Sequence, residues 1–510
     1  MKNISLLFIV GIFAFVGCNK DLDIDKTTAA FKYSNPDAKG GSWKAILILK
    51  PEDITVTVPV DGASAEYTSQ VTSMKAASAA ATGAQKDSIA IFGANALVKW
   101  NEIARGMAAK YNLPPAANAD GTYPVPNAAN PGVYPLFPFA NPPYASRAFA
   151  YWSAAQFDAL IVAWYYKYKF NRAPVYKQEA SLSIALPAQD LPGGISEDAV
   201  IATVSKEILT FMFPLEASYL DGLANTHKKT RLWANMNTQD EIDAGTSIGK
   251  QVADKFIARA KADAMGKAIG SPAISDSLGN VAFAKYGWKW KSLDAPSRPA
   301  LLPLFGKVKM WCVPSLDVVR PAAPPAQGSD EFKKDLAEML ALSKNPSPES
   351  RRIANLWADG PSTSTPPGHW NQIASDLITA AELNPIRTAR IFAYMNMAIE
   401  DAGIVCWDAK YYYFTPRPSQ VNPNIKTLIG VPNFPGYISG HSTFSAAGAT
   451  VLSYFFPTEA SKVQAYATDA SNSRIFGCIH FRHDCKVGLE TGEKVGQYTL
   501  NFTKVDGADD

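Results

Sequence analysis

A chain that repeats itself over most of its length must build one unit twice, and this one repeats at a constant offset of 243 residues. Arg147-x-Phe149-Ala150-Tyr151 matches Arg390-x-Phe392-Ala393-Tyr394, and Ile161-Val162-x-Trp164-x-x-Lys167 matches Ile404-Val405-x-Trp407-x-x-Lys410. The match runs on without a gap. Ile195-Ser196 falls on Ile438-Ser439, Phe213-Pro214-x-Glu216-Ala217-Ser218 on Phe456-Pro457-x-Glu459-Ala460-Ser461, and Arg231 on Arg474, while Gly245 and Gly249 meet Gly488 and Gly492. Trp100-Asn101 also echoes Trp370-Asn371, and a Pro/Asn-rich loop from Asn112 to Pro143 absorbs the change in spacing.

Periodicity makes the repeated unit helical. Leu97, Trp100, Ile103, Ala104 and Met107 share one helix face. The pattern predicts further helices over about 146–169, 196–213 and 239–265 and, after a Trp- and Pro-rich connection, near 329–342, 350–357, 370–383 and 388–410. Strand-like alternation is confined to Ile54-Thr-Val-Thr-Val-Pro-Val60. The class is therefore all-α, two tandem related helical bundles with the active site in the C-terminal one. Residues 19–92 read as a tether and irregular cap, 93–285 as a degenerate N-terminal bundle, and 286–510 as the catalytic C-terminal bundle.

With 510 residues, 47% of them hydrophobic, the chain can bury a large core. Its net charge of +3, with no long basic run, excludes nucleic acid as a partner. The start, Lys2, an apolar run from Ile4 to Val16 and then Gly17-Cys18, is short for a membrane span and resembles a bacterial lipoprotein signal over residues 1–18. That resemblance implies lipidation at Cys18 and an exported protein held in the cell envelope, at the outer membrane or cell surface, through its N-terminal lipid only. Cys312, Cys406, Cys478 and Cys485 could pair in three ways or remain buried thiols. A Cys478–Cys485 bridge would stiffen the loop around His480.

Chemistry concentrates between residues 407 and 484. Three of the five histidines lie there, with Lys410, Arg417-Pro418, Ser439-Gly440-His441, Ser473-Arg474, His480 and Asp484. Two arginines, a lysine and the N–H groups of a helix opening at Ser-Gly-His suit a compact tetrahedral oxyanion, because full charges and backbone donors replace its lost hydration. His480 can then be a nucleophile or a metal ligand, with Asp484 one helical turn on holding its other ring nitrogen. His441 suits a general acid/base whose pKa lies near neutrality.

This pattern, K-x6-R-P, then S-G-H, then S-R-x5-H-x3-D, resembles the superfamily that joins phosphatidic-acid-type phosphatases with vanadium-dependent haloperoxidases. Ile438 stands where that family usually has proline. The resemblance implies that Lys410, Arg417, Ser439, Gly440, Arg474 and His480 hold the oxyanion, and that His441, His480, Lys410 and Asp484 are catalytic. His480 would be the apical ligand of vanadium in vanadate or, with phosphate, the nucleophile. Trp407 and Phe434 stand at the positions of the aromatic pair beside the halide in chloroperoxidase-like members. Trp164 in the first copy makes packing an equal reading for Trp407. The substrates implied are peroxide and halide, or a phosphomonoester.

The first copy lacks this chemistry. Glu197 and Asp198 occupy the places of Gly440 and His441, Asn237 that of His480, and Pro174 that of Arg417. Two carboxylates there would repel an anion. Of the other histidines, His483 reads as solvated or supporting, His369 as a residue of the pocket mouth, and His227, beside Lys228-Lys229, as surface.

Overall fold

A computed structural model describes residues 29–509; the leader and Cys18 lie outside these described residues. Among them every regular element is helical. The first half contains α1 (Ala65–Ala79), α2 (Gly83–Gly93), α3 (Ala96–Tyr111), α4 (Pro142–Phe170), α5 (Val175–Gln178), α6 (Glu197–Met212), α7 (Ala217–Trp233), α8 (Gln239–Lys261) and α9 (Pro272–Tyr286). The second contains α10 (Asp330–Lys344), α11 (Pro348–Leu356), α12 (Thr365–Ala380), α13 (Pro385–Tyr413), α14 (Pro418–Val421), α15 (Gly440–Phe455), α16 (Ala460–Phe476) and α17 (Arg482–Thr503).

The duplication is visible in these boundaries. Helices α4 and α13 each have 29 residues, begin 243 residues apart and open on an asparagine whose side chain accepts an N–H of the first turn, Asn141 and Asn384. Side-chain bonds repeat with them. Asp158 accepts three successive backbone N–H groups, from Ile46, Leu47 and Ile48, and Asp401 accepts those of Trp311, Cys312 and Val313. Arg147 donates to Asp263 as Arg390 donates to Asp506, both at 2.7 Å.

The core is the seam between the copies. Along α4 and α13, Trp152 meets Phe392 at 5.9 Å and Phe157 meets Tyr394 at 5.8 Å between ring centroids. A buried amide cluster crosses the seam, with Asn101 donating to Asn371, Asn371 to Asn396, and Asn396 to Ser153 of α4. Within the second copy α15 packs between α13 and α17. Gly488 lets α17 approach, since a Cβ there would lie 3.0 Å from the Ser439 carbonyl and 2.8 Å from Ser442. That contact seats the N-terminus of α15.

Some expectations differ from the structure. Residues 65–93 are helical, not irregular: α1 and α2 carry few large apolar residues, but Ser64 caps one, a Thr82/Gln85 capping box opens the other, and Tyr67, Val71, Met74, Ile89 and Phe92 are buried. The stretch before Trp288 holds α9, opened by Ser271 and Pro272 and closed by Gly287 at φ 76°. The alternating run from Ile54 to Val60 forms no strand, because its backbone bonds go to side chains of α8, Thr55 to Gln251 and the Val60 N–H to Asp240. All four described cysteines, Cys312, Cys406, Cys478 and Cys485, are buried free thiols. No described helix is long and apolar enough to cross a membrane.

One buried carboxyl lacks compensation. Glu400 accepts from Trp311 Nε1 at 2.6 Å through Oε2, but Oε1 has no partner, and burial pushes the group up to about 8. A carboxyl raised in this way binds its proton in the folded state after the unfolded chain has lost it. Its contribution to stability is whole below about 4.5 and is lost as pH rises to about 8. Glu400→Gln should therefore raise the melting temperature relative to the parent by an amount that grows between about pH 5 and pH 8. Thermal melts across that range check it, and a pH-independent difference would contradict it.

Candidate active site

The loop before α15 and the N-terminus of α17 converge on the end of α13. Ser439 caps α15 through Ser442 N–H, and its own N–H donates to the Asp484 carbonyl at 3.0 Å. Lys410, in the last turn of α13, is buried and donates to the carbonyls of Pro435, Gly436 and Ile438 at 3.1, 2.7 and 2.5 Å. It brings a positive charge whose hydrogen bonds go to backbone. Arg417 donates to the Phe434 and Ile479 carbonyls and, through Nη1, to His480 Nε2 at 2.8 Å. Its Nη2 is buried without a partner. Arg474 donates to Ser473 Oγ at 2.9 Å and to the Trp357 carbonyl. Burial lowers Lys410 to about 8 and both arginines to about 10. All three remain cationic at neutral pH, and such a cluster of desolvated cations favours an anion.

His480 has a defined tautomer. An arginine can only donate, so Nε2 holds a lone pair and the proton sits on Nδ1, which donates to Asp484 Oδ2 at 3.0 Å. Burial and Arg417 hold the imidazole well below its ordinary value against the pull of Asp484. His483 is buried, not solvated. Its Nε2 lies 3.1 Å from Asp484 Oδ1 and its Nδ1 2.7 Å from Asp335 Oδ2 of α10. Burial opposes its charge, but Asp484 and Asp335 outweigh it and raise the ring to about 9.

His441, the second residue of α15, faces a carboxylate that no motif marks. Its Nε2 lies 3.5 Å from Asp359 Oδ2 in the loop between α11 and α12. Its expected near-neutral pKa is not what this setting gives: burial and Arg474 push it down to about 4 despite Asp359. Neither Asp359 nor Asp335 carries a sequence signal beyond being acidic, and both enter through loops or helices far from residues 407–484.

Phe434 is half-buried and packs on Trp407, centroids 4.9 Å apart, with Lys410 and Arg417 each 5.1 Å from its ring. Trp407 is buried, donates to the Leu301 carbonyl, and packs on Phe305 and Phe444. It is a packing residue as well as a wall of the site.

The same place in the first bundle is filled from within. Lys167 pairs with Glu197 at 2.9 Å, and Arg231 pairs with Asp198 at 3.1 Å. His227 is buried, contrary to its surface reading; it accepts from Trp100 Nε1 and donates to Asp198 at 3.0 Å. Asn237 donates to Glu241 where His480 donates to Asp484. The retained cations thus have carboxylates of their own chain in place of a free anion. Asp198→Asn would leave Arg231 buried beside a neutral amide, and should lower the unfolding free energy by about 3–5 kcal/mol in urea titrations. A loss below about 1 kcal/mol would mean that the cluster is not a tight ion pair.

Residues 390–504 match the PAP2 superfamily. No curated protein matches the sequence. Among solved structures, the first bacterial vanadium-dependent iodoperoxidase is similar over 79% of this chain and 95% of its own, at 22% identity and a TM-score of 0.60. A bacterial vanadium-dependent chloroperoxidase is similar in its holo form over 75% of this chain and 97% of its own, at 15% identity and a TM-score of 0.51. Its apo form covers 72% and 94%, at 13% identity and a TM-score of 0.50. The chain is therefore similar to the PAP2 superfamily over residues 390–504 and shares its overall fold with the bacterial vanadium-dependent haloperoxidases.

Proposed function

We propose that the protein is a vanadate-dependent haloperoxidase that oxidises halide with hydrogen peroxide. The observation that carries the reading is the unprotonated Nε2 of His480, which here accepts from Arg417 Nη1 and would exchange that bond for the anion's central atom, set beside three buried cations with Arg417 Nη2 unpartnered. A tetrahedral oxyanion whose central atom accepts an imidazole fits this donor set. His480 would hold the vanadium, Arg417 and Arg474 would donate to its oxygens, Lys410 would add charge, and Ser439 with the Gly440 N–H would close the cradle. Vanadate, when bound, supplies a Lewis-acidic centre that activates peroxide for oxygen transfer to halide.

The chain's own residues handle protons and water. With His441 Nε2 turned toward Asp359, Nδ1 is the nitrogen left to exchange a proton with the substrate. At neutral pH this ring is unprotonated, so it takes the proton that peroxide gives up and later returns it. Phe434 and Trp407 exclude water beside Lys410 and leave an apolar face that tolerates a weakly hydrated halide.

A second reading, acid phosphatase action through a phosphohistidine at His480, uses the same cradle. There His441 must start protonated to release the leaving group, and its depressed pKa restricts that state to acid solution. Acid solution is where an acid phosphatase works, so this leaves both reactions open; the apolar Phe434–Trp407 wall beside Lys410, which suits a weakly hydrated halide, favours the peroxidase reading.

Calorimetric titration with orthovanadate tests the cradle. His480→Ala or Arg474→Ala should abolish binding, while Asn237→Ala in the first bundle should bind as the parent does. Affinity should fall as pH rises through about 8, where Lys410 loses its charge, and Lys410→Met should remove that inflection. Loss of binding in the Asn237 variant would place the site elsewhere.

Turnover separates the reactions. Vanadate-loaded protein with peroxide should halogenate a phenol reporter with bromide or iodide, phosphate should compete, and His441→Ala should retain vanadate yet lose about 10²- to 10⁴-fold in rate. Rapid hydrolysis of p-nitrophenyl phosphate without halogenation would favour the phosphatase, and silence in both assays a binding role.

A further inference from the structure

His369 has no place in the cradle, yet it shares a carboxylate with the site. Asp359 Oδ2 lies 3.5 Å from His441 Nε2, close enough for charge coupling but without a hydrogen bond, while His369 Nδ1 lies 3.2 Å from Oδ1 and 3.4 Å from Oδ2. The His369 side chain is 25% exposed, against 9% for Asp359, so the triad runs from the site toward solvent. Its members are fixed independently. His369 stacks on Trp357 at 4.1 Å and 19°, and the Trp357 carbonyl accepts from Arg474. Asp359 sits at φ 43°, a left-handed conformation costly for a residue with a Cβ. Its loop is held there by Asn112, which donates to the Gly360 and Thr363 carbonyls at 2.9 and 3.1 Å and accepts the Ser362 N–H.

One fixed carboxylate between two imidazoles makes their protonations compete. We infer that His369 is a positioning residue for the acid/base step: through the shared Asp359 carboxylate it sets how readily His441 takes up a proton, and it exposes that readiness to the pH of the solvent. When His369 is protonated, Asp359 is already balanced and its hold on a proton at His441 weakens. When His369 is neutral, the carboxylate serves His441. The titratable and charged groups facing His441 are Arg474 from α16, Asp359 from the loop and His369 from α12, and of these His369 is the one that reaches solvent. The inference rests on His441 as the acid/base, but the coupling is measurable without turnover.

Histidine-labelled protein, free of vanadate, can be titrated by NMR in the parent, His369→Gln, Asp359→Asn and the double variant. His369→Gln should raise the His441 midpoint by about half a unit to one unit, and Asp359→Asn should lower it. In the Asp359→Asn background the effect of His369→Gln should largely vanish, since the coupling passes through the carboxylate. Should the glutamine variant fail to fold, His369→Phe keeps the stack on Trp357, lacks the titrating nitrogen and is read in the same way. An unmoved His441 midpoint, or an equal shift with and without the Asp359 carboxylate, overturns the proposal. A shifted midpoint with an unshifted pH profile of halogenation would support the coupling and count against His441 as the acid/base.

Discussion

Everything in this molecule hangs on the burial of α4 against α13. Each is a 29-residue helix with almost no solvent-facing side, so neither could be stable without the other. Paired aromatic rings and the Asn101–Asn371–Asn396–Ser153 chain fix their register, because buried amides left unpaired would each cost about 1–3 kcal/mol. Once that register is set, the last turn of α13 can carry Lys410 to one place only, and α15 and α17 close around it.

The two copies then solve one electrostatic problem in two ways. Both bury a lysine and an arginine at the same depth. The first answers with Glu197 and Asp198; the second leaves the charges facing a glycine and a neutral imidazole. Backbone carbonyls steady Lys410 and Arg417 without neutralising them, so the second cradle keeps its demand for an anion. Orientation of His480 by Asp484, itself braced by His483 and Asp335, keeps the lone pair directed at the same spot.

Much of this was legible in the chain. The constant offset foretold equal helices, and the spacing of Lys410, Arg417, Ser439, Arg474 and His480 foretold one cluster, since both are patterns of residue identity at fixed spacing. What escaped was long-range. Asp359 lies in a loop without periodic or motif signal and Asp335 on a helix whose periodicity says nothing of its partner, and only the folded chain shows which histidine each meets. His227 misled because two neighbouring lysines suggest a surface, whereas Asp198, a substitution particular to the first copy, makes a buried imidazole tenable. Helices α1 and α2 escaped because capping residues, not an apolar stripe, define them.

The grip of Asn112 on the loop of Asp359 has a consequence for how such a duplicated protein can change. Asn112 follows α3 and belongs to the first half, while the loop that it holds lies against the cradle of the second. The first copy is thereby a jig for its twin. Substitutions along the edge that touches the loop would be felt at Asp359, 3.5 Å from His441. The matched segment 390–504 contains Lys410, Arg417, His441, Arg474 and His480 but neither Asp359 nor Asn112, so a gene trimmed to that segment would keep the letters of the motif and lose the geometry they spell.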